Sequence, residues 1–298
     1  MGIRLWKRRK PQPPARTWER SAPLASSEQP AQERPLLKGS YYLLPKDVQE
    51  VNRLDFQHFL LRRVLGSNYA APLPLSVRSM LDVGCGTGLW LREMAQQFPH
   101  AQLTGLDLDL SSVKNGYPMN CQFLTGNILQ GLPFSDGRFD FVHQRLLVAA
   151  LPARSWPMVA RELARVTSPS GWVELFEIGQ SMTNPGPATR TFLQWWAALS
   201  ERTGFDTTIV EHLGELLQGA GLRRVVQRRI KAPAGQWGGR AGVLLALDII
   251  EVMRAVKQRL CTVLQLPPAS FDQIIDALPA EWEEYHTEFH FYLAYGQK

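Results

Sequence analysis

Three glycines stand at alternate positions in Leu81-Asp-Val-Gly-Cys-Gly-Thr-Gly88, between an apolar stretch and a helix-forming one. Glycine has no Cβ, so Gly84 lets the chain turn sharply, Gly86 lets a ligand approach the backbone, and Gly88 lets the next helix pack closely. The amides exposed by such a loop and helix start face whatever binds there. A dinucleotide fingerprint spaces its glycines G-x-G-x-x-G; here the position it needs is Leu89, and the spacing is G-x-G-x-G. More candidate groups follow in order. Asp107 closes Thr104-Gly-Leu-Asp107, where a carboxylate can accept both hydrogen bonds of a ribose diol. In Gly126-Asn-Ile128, Asn127 is placed to accept from an exocyclic adenine amine and Ile128 to pack on the ring. His143-Gln144-Arg145 ends a further apolar stretch. His143 there is either a general base for a hydroxyl or acidic carbon or a hydrogen-bonded histidine at a strand end. Arg145 is either a ligand for an acceptor carboxylate or a surface arginine, and Glu177 either faces the acceptor or caps a strand.

These groups need elements to hold them. Short apolar runs at 80–83, 102–106, 121–124, 139–143 and 172–178 read as strands, and 89–98 and 156–166 as helices. Such β-α alternation implies a parallel sheet covered on both faces. Right-handed crossovers then bring the carboxyl ends of the strands to one edge, where ligands bind. Before this region, 41–66 has helical periodicity. After it, 191–202, 210–218, 243–264 and 271–278 read as helices, with Phe192, Trp195 and Trp196 as helix core or substrate cage. The stretches 222–230 and 288–295 read as strands.

Composition narrows the partners. The chain has 298 residues and a net charge of +6. Nine basic and three acidic residues lie in 1–40, with six prolines; the other 258 residues carry 24 of each sign. Residues 1–40 therefore read as a disordered basic tail that cannot bury a core. The neutral remainder is an unlikely nucleic-acid reader. Three widely spaced cysteines, Cys85, Cys121 and Cys261, suggest neither a disulfide framework nor a metal site. No apolar run spans a bilayer and no h-region follows the N-terminal charges, so a cytoplasmic address is expected.

Residues 79–179 resemble a class I S-adenosylmethionine (SAM)-dependent methyltransferase, of the methyltransferase domain 25/11 kind. The matching stretches are Leu81-Asp-Val-Gly-Cys-Gly-Thr-Gly88, Thr104-Gly-Leu-Asp107, Leu132-Pro-Phe-Ser-Asp-Gly-Arg-Phe-Asp140 and Arg161-Glu-Leu-Ala-Arg-Val166 with Pro169-Ser-Gly-Trp172. The ends, Tyr41-Tyr-Leu-Leu-Pro45 and Leu293-Ala-Tyr-Gly-Gln-Lys298, are similar to a branch containing fungal regulators of secondary metabolism. The resemblance implies a seven-stranded, doubly wound, mostly parallel Rossmann-like sheet with an antiparallel C-terminal hairpin. It implies a helical cap at 41–75, a SAM-binding core at 79–180 and acceptor-side helices within 181–298, including an insertion at 231–287. It also implies SAM contacts from Asp82, Gly84, Cys85, Gly86 and Gly88. Asp107 would hold the ribose, Leu108 the adenine face, Asn127 and Ile128 its edge, and Gln144 would complete the set. The expected activity is methyl transfer to a small molecule, with a SAM-binding regulator as the alternative. No metal is implied, and His143 is the candidate base. The Asn/Asp-Pro-Pro-aromatic motif of amino methyltransferases acting on adenine-type bases is missing at 143–146.

Overall fold

The computed structural model describes residues 48–298; the expectations for residues 1–40 and for the start of the first helix lie outside them. Seven strands form one sheet: β1 (Ser79–Val83), β2 (Gln102–Asp107), β3 (Cys121–Thr125), β4 (Phe139–Arg145), β5 (Thr167–Thr183), β6 (Arg223–Pro233) and β7 (Glu288–Gln297). Their order is β3-β2-β1-β4-β5-β7-β6. The first five are parallel, and β7 runs antiparallel between β5 and β6. This is the expected doubly wound sheet with its antiparallel C-terminal pair. The order reverses between β1 and β4, and such a switch point leaves a crevice beyond the strand ends.

Helices α1 (Val48–Leu65), α2 (Leu89–Gln97), α3 (Trp156–Val166), α4 (Pro187–Thr203), α5 (Leu213–Gly219), α6 (Gly239–Ala255), α7 (Lys257–Leu264) and α8 (Pro268–Tyr285) cover the sheet. Strand side chains alternate between faces, and the two faces have separate cores. Met80 and Phe141 pack with Trp90 of α2 and Trp282 of α8. Leu81, Val83, Val142 and Leu175 pack with Leu163 of α3 and Leu217 of α5. Central strands are buried on both sides, and β1 and β4 bury Asp82, His143 and Gln144 among their apolar residues.

The helical additions depart from the sequence expectation in two places. Residues 243–264 form two helices, because the chain breaks at Val256, which is buried against Phe205. Helix α8 continues through Pro279 to Tyr285. A proline inside a helix forfeits a hydrogen bond and crowds the preceding turn. Here the turn beyond it is held by tertiary contacts. Trp282 is completely buried, and Glu281 accepts from the Ala188 and Thr189 amides at 2.6 and 2.8 Å. The Thr189 hydroxyl also donates to Glu281 at 2.5 Å, and the Trp282 indole N–H donates to Thr189 Oγ1 at 2.8 Å. A carboxylate thus caps the positive end of α4 from α8.

Because Glu281 satisfies two otherwise orphaned amides, Glu281→Ala should destabilise the protein by about 2–4 kcal/mol, at ~1.5–3 kcal/mol per hydrogen bond to a charged group with incomplete additivity. Urea unfolding reads this as a lower midpoint. An unchanged midpoint would show that α4 does not need this cap.

Candidate functional site

The loop after β1 is shaped from β2. Gly84, Gly86 and Gly88 all have positive φ, at 73°, 54° and 78°. The Gly84 and Cys85 amides both donate to Leu106 O, at 2.7 and 3.1 Å, and the Gly86 amide donates to Asp107 Oδ2 at 2.8 Å. Asp107 Oδ1 accepts from the Asp109 amide at 3.1 Å. A carboxylate accepts at about four positions, so one group has the capacity to hold the loop and a ligand diol together. A Cβ on Gly86 would meet nothing nearer than a Leu54 methyl at 3.6 Å and would project where the backbone borders the cavity. At Gly88 the constraint is different from the expected helix-to-strand packing: a Cβ there would lie 2.7 Å from the Phe123 ring of β3.

A cavity of about 500 Å³ opens beside this loop. Gly84, Cys85, Gly86 and Asp107 line one end, with Leu108, Asn127 and Ile128. Leu108 is exposed, as an apolar side chain at a ligand mouth would be. Asn127 caps the short 3-10 turn Ile128–Gln130, its Oδ1 accepting from the Leu129 amide at 3.0 Å. That hydrogen bond uses one of the two lone pairs of the amide oxygen and fixes its orientation, so the oxygen keeps one acceptor position.

Asp82, His143 and Gln144 do not line this cavity, nor does Gly88. Register places Asp82 beside His143, and His143 beside Glu174, in a row across β1, β4 and β5. His143 Nδ1 lies 2.8 Å from Asp82 Oδ1, Asp82 and His143 are each 2% exposed, and the imidazole stacks on the fully buried Trp90 at 4.1 Å between centroids. His143 is therefore a packed core histidine and not a base at the cavity. Gln144, on the other sheet face, is wholly buried. Glu177 is a cap: it accepts from the Leu147 and Val148 amides, each at 3.0 Å, and burial pushes its carboxyl up to about 8.

The far end of the cavity is built by α1, α4, α6 and the antiparallel strands β5 and β7. Its wall is mostly apolar, including Met182, Phe192, Trp196, Val252, Phe289 and Phe291. Phe192 and Trp196 are thus core and cavity wall at once, while Trp195 packs on Phe271. Polar residues intrude in pairs. Arg53 Nη1 lies 3.5 Å from Asp248 Oδ1, and Gln57 Nε2 donates to Asp248 Oδ2 at 3.0 Å. Arg145 Nη2 donates to His58 Nδ1 at 2.8 Å, while His58 Nε2 faces Glu93 at 3.3 Å. Burial, reinforced by the Arg145 charge, lowers the His58 pKa to about 4. Of these, only Arg145 was singled out from the sequence. Arg53, Leu54, Gln57, His58 and Leu61 recur at three- and four-residue steps on one face of α1, a mixed face whose polar members were the available signal. Asp248 sits in an apolar helix and carried no comparable mark. Among the described residues no group of three or more metal-ligating side chains gathers, and no helix is long and apolar enough to cross a membrane.

Comparison with known proteins agrees with this geometry. Residues 56–227, over half the chain, match the family described as Methyltransferase domain. The chain is 31% identical to the N-methyltransferase sirN of Leptosphaeria maculans, over 74% of this chain and 81% of that protein. It is 30% identical to the secondary metabolism regulator laeA of Aspergillus fumigatus, over 66% of this chain and 54% of that one. Among solved structures, phosphoethanolamine N-methyltransferase 2 of Haemonchus contortus with bound SAM superposes with a TM-score of 0.50 at 14% identity, covering 82% of this chain and 52% of that one. This last likeness is one of fold.

Two measurements follow from the site. Asp107→Ala should weaken SAM binding by about 2–4 kcal/mol, roughly 30- to 1,000-fold, with circular dichroism unchanged. His143→Ala should instead lower stability and leave SAM affinity within a few-fold, since it empties a buried stack. The reverse pattern in calorimetry would exchange their roles. The second concerns pH. Glu177 has its folded pKa raised from 4.5 to about 8, so between those values the folded state binds more protons than the unfolded chain and stability falls as pH rises. His58, lowered from 6.5 to about 4, acts oppositely but only below pH 6.5. Between pH 6.5 and 8 the Glu177 effect acts without that opposition, so the unfolding midpoint should decline there in the parent and stay flatter in Glu177→Gln. Equal slopes would refute it.

Proposed function

The chain belongs to the methyltransferase family matched above and is a SAM-dependent methyltransferase, and we propose that its acceptor is a small, largely apolar molecule held in the far half of the cavity. The observation that carries this reading is the continuity of one cavity from the glycine loop to the wall of α4, α6 and β7. Bound SAM supplies a methyl group already activated on a sulfonium. The chain's own residues then have mainly to orient and to exclude water, and orientation alone can supply up to ~7–11 kcal/mol of a barrier. Asp107 would fix the ribose and the Gly84–Gly86 backbone the methionine side. Leu108 and Ile128 would sandwich the adenine, with Asn127 at its edge. Glu177 fixes the Leu147–Val148 backbone between the two halves. His58 is neutral near pH 7 and holds Arg145 in place, so its role is positioning.

Arg145 of the wall donates to the neutral His58, and Arg53 and Asp248 answer one another. The Arg53–Asp248 pairing supports a neutral acceptor over a nucleotide or a charged peptide. Relatives named as an N-methyltransferase and as a secondary metabolism regulator support a place in secondary metabolism. The regulator relatives also favour a second reading, a SAM-binding regulator that turns over little or nothing.

The test uses SAM with a labelled methyl group and a panel of neutral hydroxy- and amino-arenes. Label should pass to small molecules. Val252→Arg, which puts a charge on the apolar wall, should cut transfer by about two orders of magnitude, because an unpaired buried charge costs several kcal/mol. S-adenosylhomocysteine affinity should stay within a few-fold. Label passing only to added protein, or undiminished transfer by Val252→Arg, overturns the acceptor assignment. Binding without transfer to any acceptor supports the regulator.

A further inference from the structure

Within the apolar half of the cavity, one polar cluster is not closed on itself. Thr207 begins the 3-10 turn Thr207–His212, whose backbone Asp206 fixes by accepting from the Thr208 amide at 2.8 Å. Thr207 is 4% exposed, and the surface it keeps borders the cavity. Its Oγ1 accepts from two donors: the Trp196 indole N–H at 3.3 Å and Gln180 Nε2. A hydroxyl has two lone pairs and one proton. Both lone pairs are used, and an indole nitrogen can only donate, so the Thr207 proton must be given elsewhere. Among the described residues nothing accepts it. The amide of Gln180 is oriented by the same contact. Its Nε2 is turned to Thr207, and its Oε1 takes no hydrogen bond from the described residues while the side chain lines the cavity. The cluster therefore offers one donor and one acceptor, side by side and uncharged. The adjacent wall is aromatic: Phe192 and Trp196 stack with their planes 20° apart and their centroids 6.3 Å from each other.

We propose that Gln180 and Thr207 read the acceptor molecule, and that the acceptor is a flat apolar compound bearing a neutral amide- or lactam-type pair, whose N–H meets Gln180 Oε1 and whose carbonyl meets the Thr207 hydroxyl. This rests on the reading of the cavity as the acceptor site. It adds which class of acceptor is preferred and which residues prefer it. An apolar pocket discriminates weakly between molecules of one shape, whereas a site that must pair its own polar groups rejects analogues that leave them unpaired. A carboxylate at the same place would set an anion against Gln180 Oε1, and a bare hydrocarbon would leave both groups unsatisfied.

The experiment titrates the S-adenosylhomocysteine-loaded protein with three flat probes of similar size: quinolin-2-one, naphthalene and 2-naphthoate. Quinolin-2-one should bind about tenfold more tightly than naphthalene, a difference of ~1.4 kcal/mol, and 2-naphthoate should bind more weakly than quinolin-2-one. Thr207→Val should bring quinolin-2-one to the level of naphthalene, and Thr207→Ser, which keeps the hydroxyl, should restore the preference. If circular dichroism shows that Thr207→Val does not fold, Gln180→Leu serves in its place, with the same loss expected. S-adenosylhomocysteine affinity should be the same in all these proteins. A parent without the preference, a preference that survives loss of the hydroxyl or the amide, or no binding of any probe to the loaded protein overturns the proposal alone. Failure of S-adenosylhomocysteine itself to bind the parent overturns the functional reading beneath it.

Discussion

The Asp107 carboxylate accepts the Gly86 amide at 2.8 Å, and with it the loop after β1 takes its shape. Three successive amides, from Gly84 to Gly86, are tied to two successive residues at the end of β2. A loop with three residues at positive φ has little conformational preference of its own, so its form must be imposed by a neighbour. The neighbouring strand does so through a charge-assisted bond, stronger than a neutral one. The loops after β1 and β4 then diverge because the strand order reverses between them. The cavity is the space left by that divergence.

The floor of the site is stiffened by carboxylates on β5, one on each sheet face. Glu174 accepts from the Ala70 and Ala71 amides, at 2.8 and 2.6 Å, and so anchors the segment that leads into β1. Glu177 anchors the segment that leaves β4. Burial pushes both carboxyl groups upward in pKa. Taking ionisable groups out of water is expensive unless their hydrogen-bonding capacity is met; backbone amides reach both oxygens of Glu177 but only Oε2 of Glu174. Asp82 and His143 solve the same problem by pairing with each other under the Trp90 ring. The two glutamates hold backbone, while Asp82 and His143 hold each other within the core.

The far half of the cavity is assembled from pieces far apart in sequence. Helix α1 precedes the nucleotide-binding core, α4 follows β5, and α6 lies in the connection between β6 and β7. The bond from Gln57 to Asp248 joins residues 191 positions apart, and Glu281 fastens α8 to the start of α4 across 92 and 93 positions. The apolar wall is continuous with the core between these helices and the sheet. A change in that core is for this reason also a change in the shape of the cavity.

The residue order by itself determined the nucleotide half. Strands of alternating apolar runs, the G-x-G-x-G spacing and Asp107 at the end of the next strand are local patterns, and local patterns survive without knowledge of the fold. Aromatic content marked 288–295 as a strand and the resemblance implied its antiparallel pairing with β6, while its place beside β5 came from the structure. The residue order did not determine which way strand-end side chains point. Asp82, His143 and Gln144 sit next to the loops that bind, but the two-residue alternation of a strand, combined with the register between strands, turns them into the two cores. Nor did it determine that Pro279 would lie inside a helix, since contacts from α4 outweigh the local preference there. For the far half of the cavity the sequence offered helices within 181–298 and the aromatics of 192–196, and the polar lining was decided by tertiary structure. Its polar residues, Thr207, Gln180, Asp248 and His58, have no common motif, and they meet because helices from separate segments pack on one edge of the sheet. Hydrogen-bond capacity is a property of each residue, but whether a neighbour uses it depends on three-dimensional proximity that no spacing encodes.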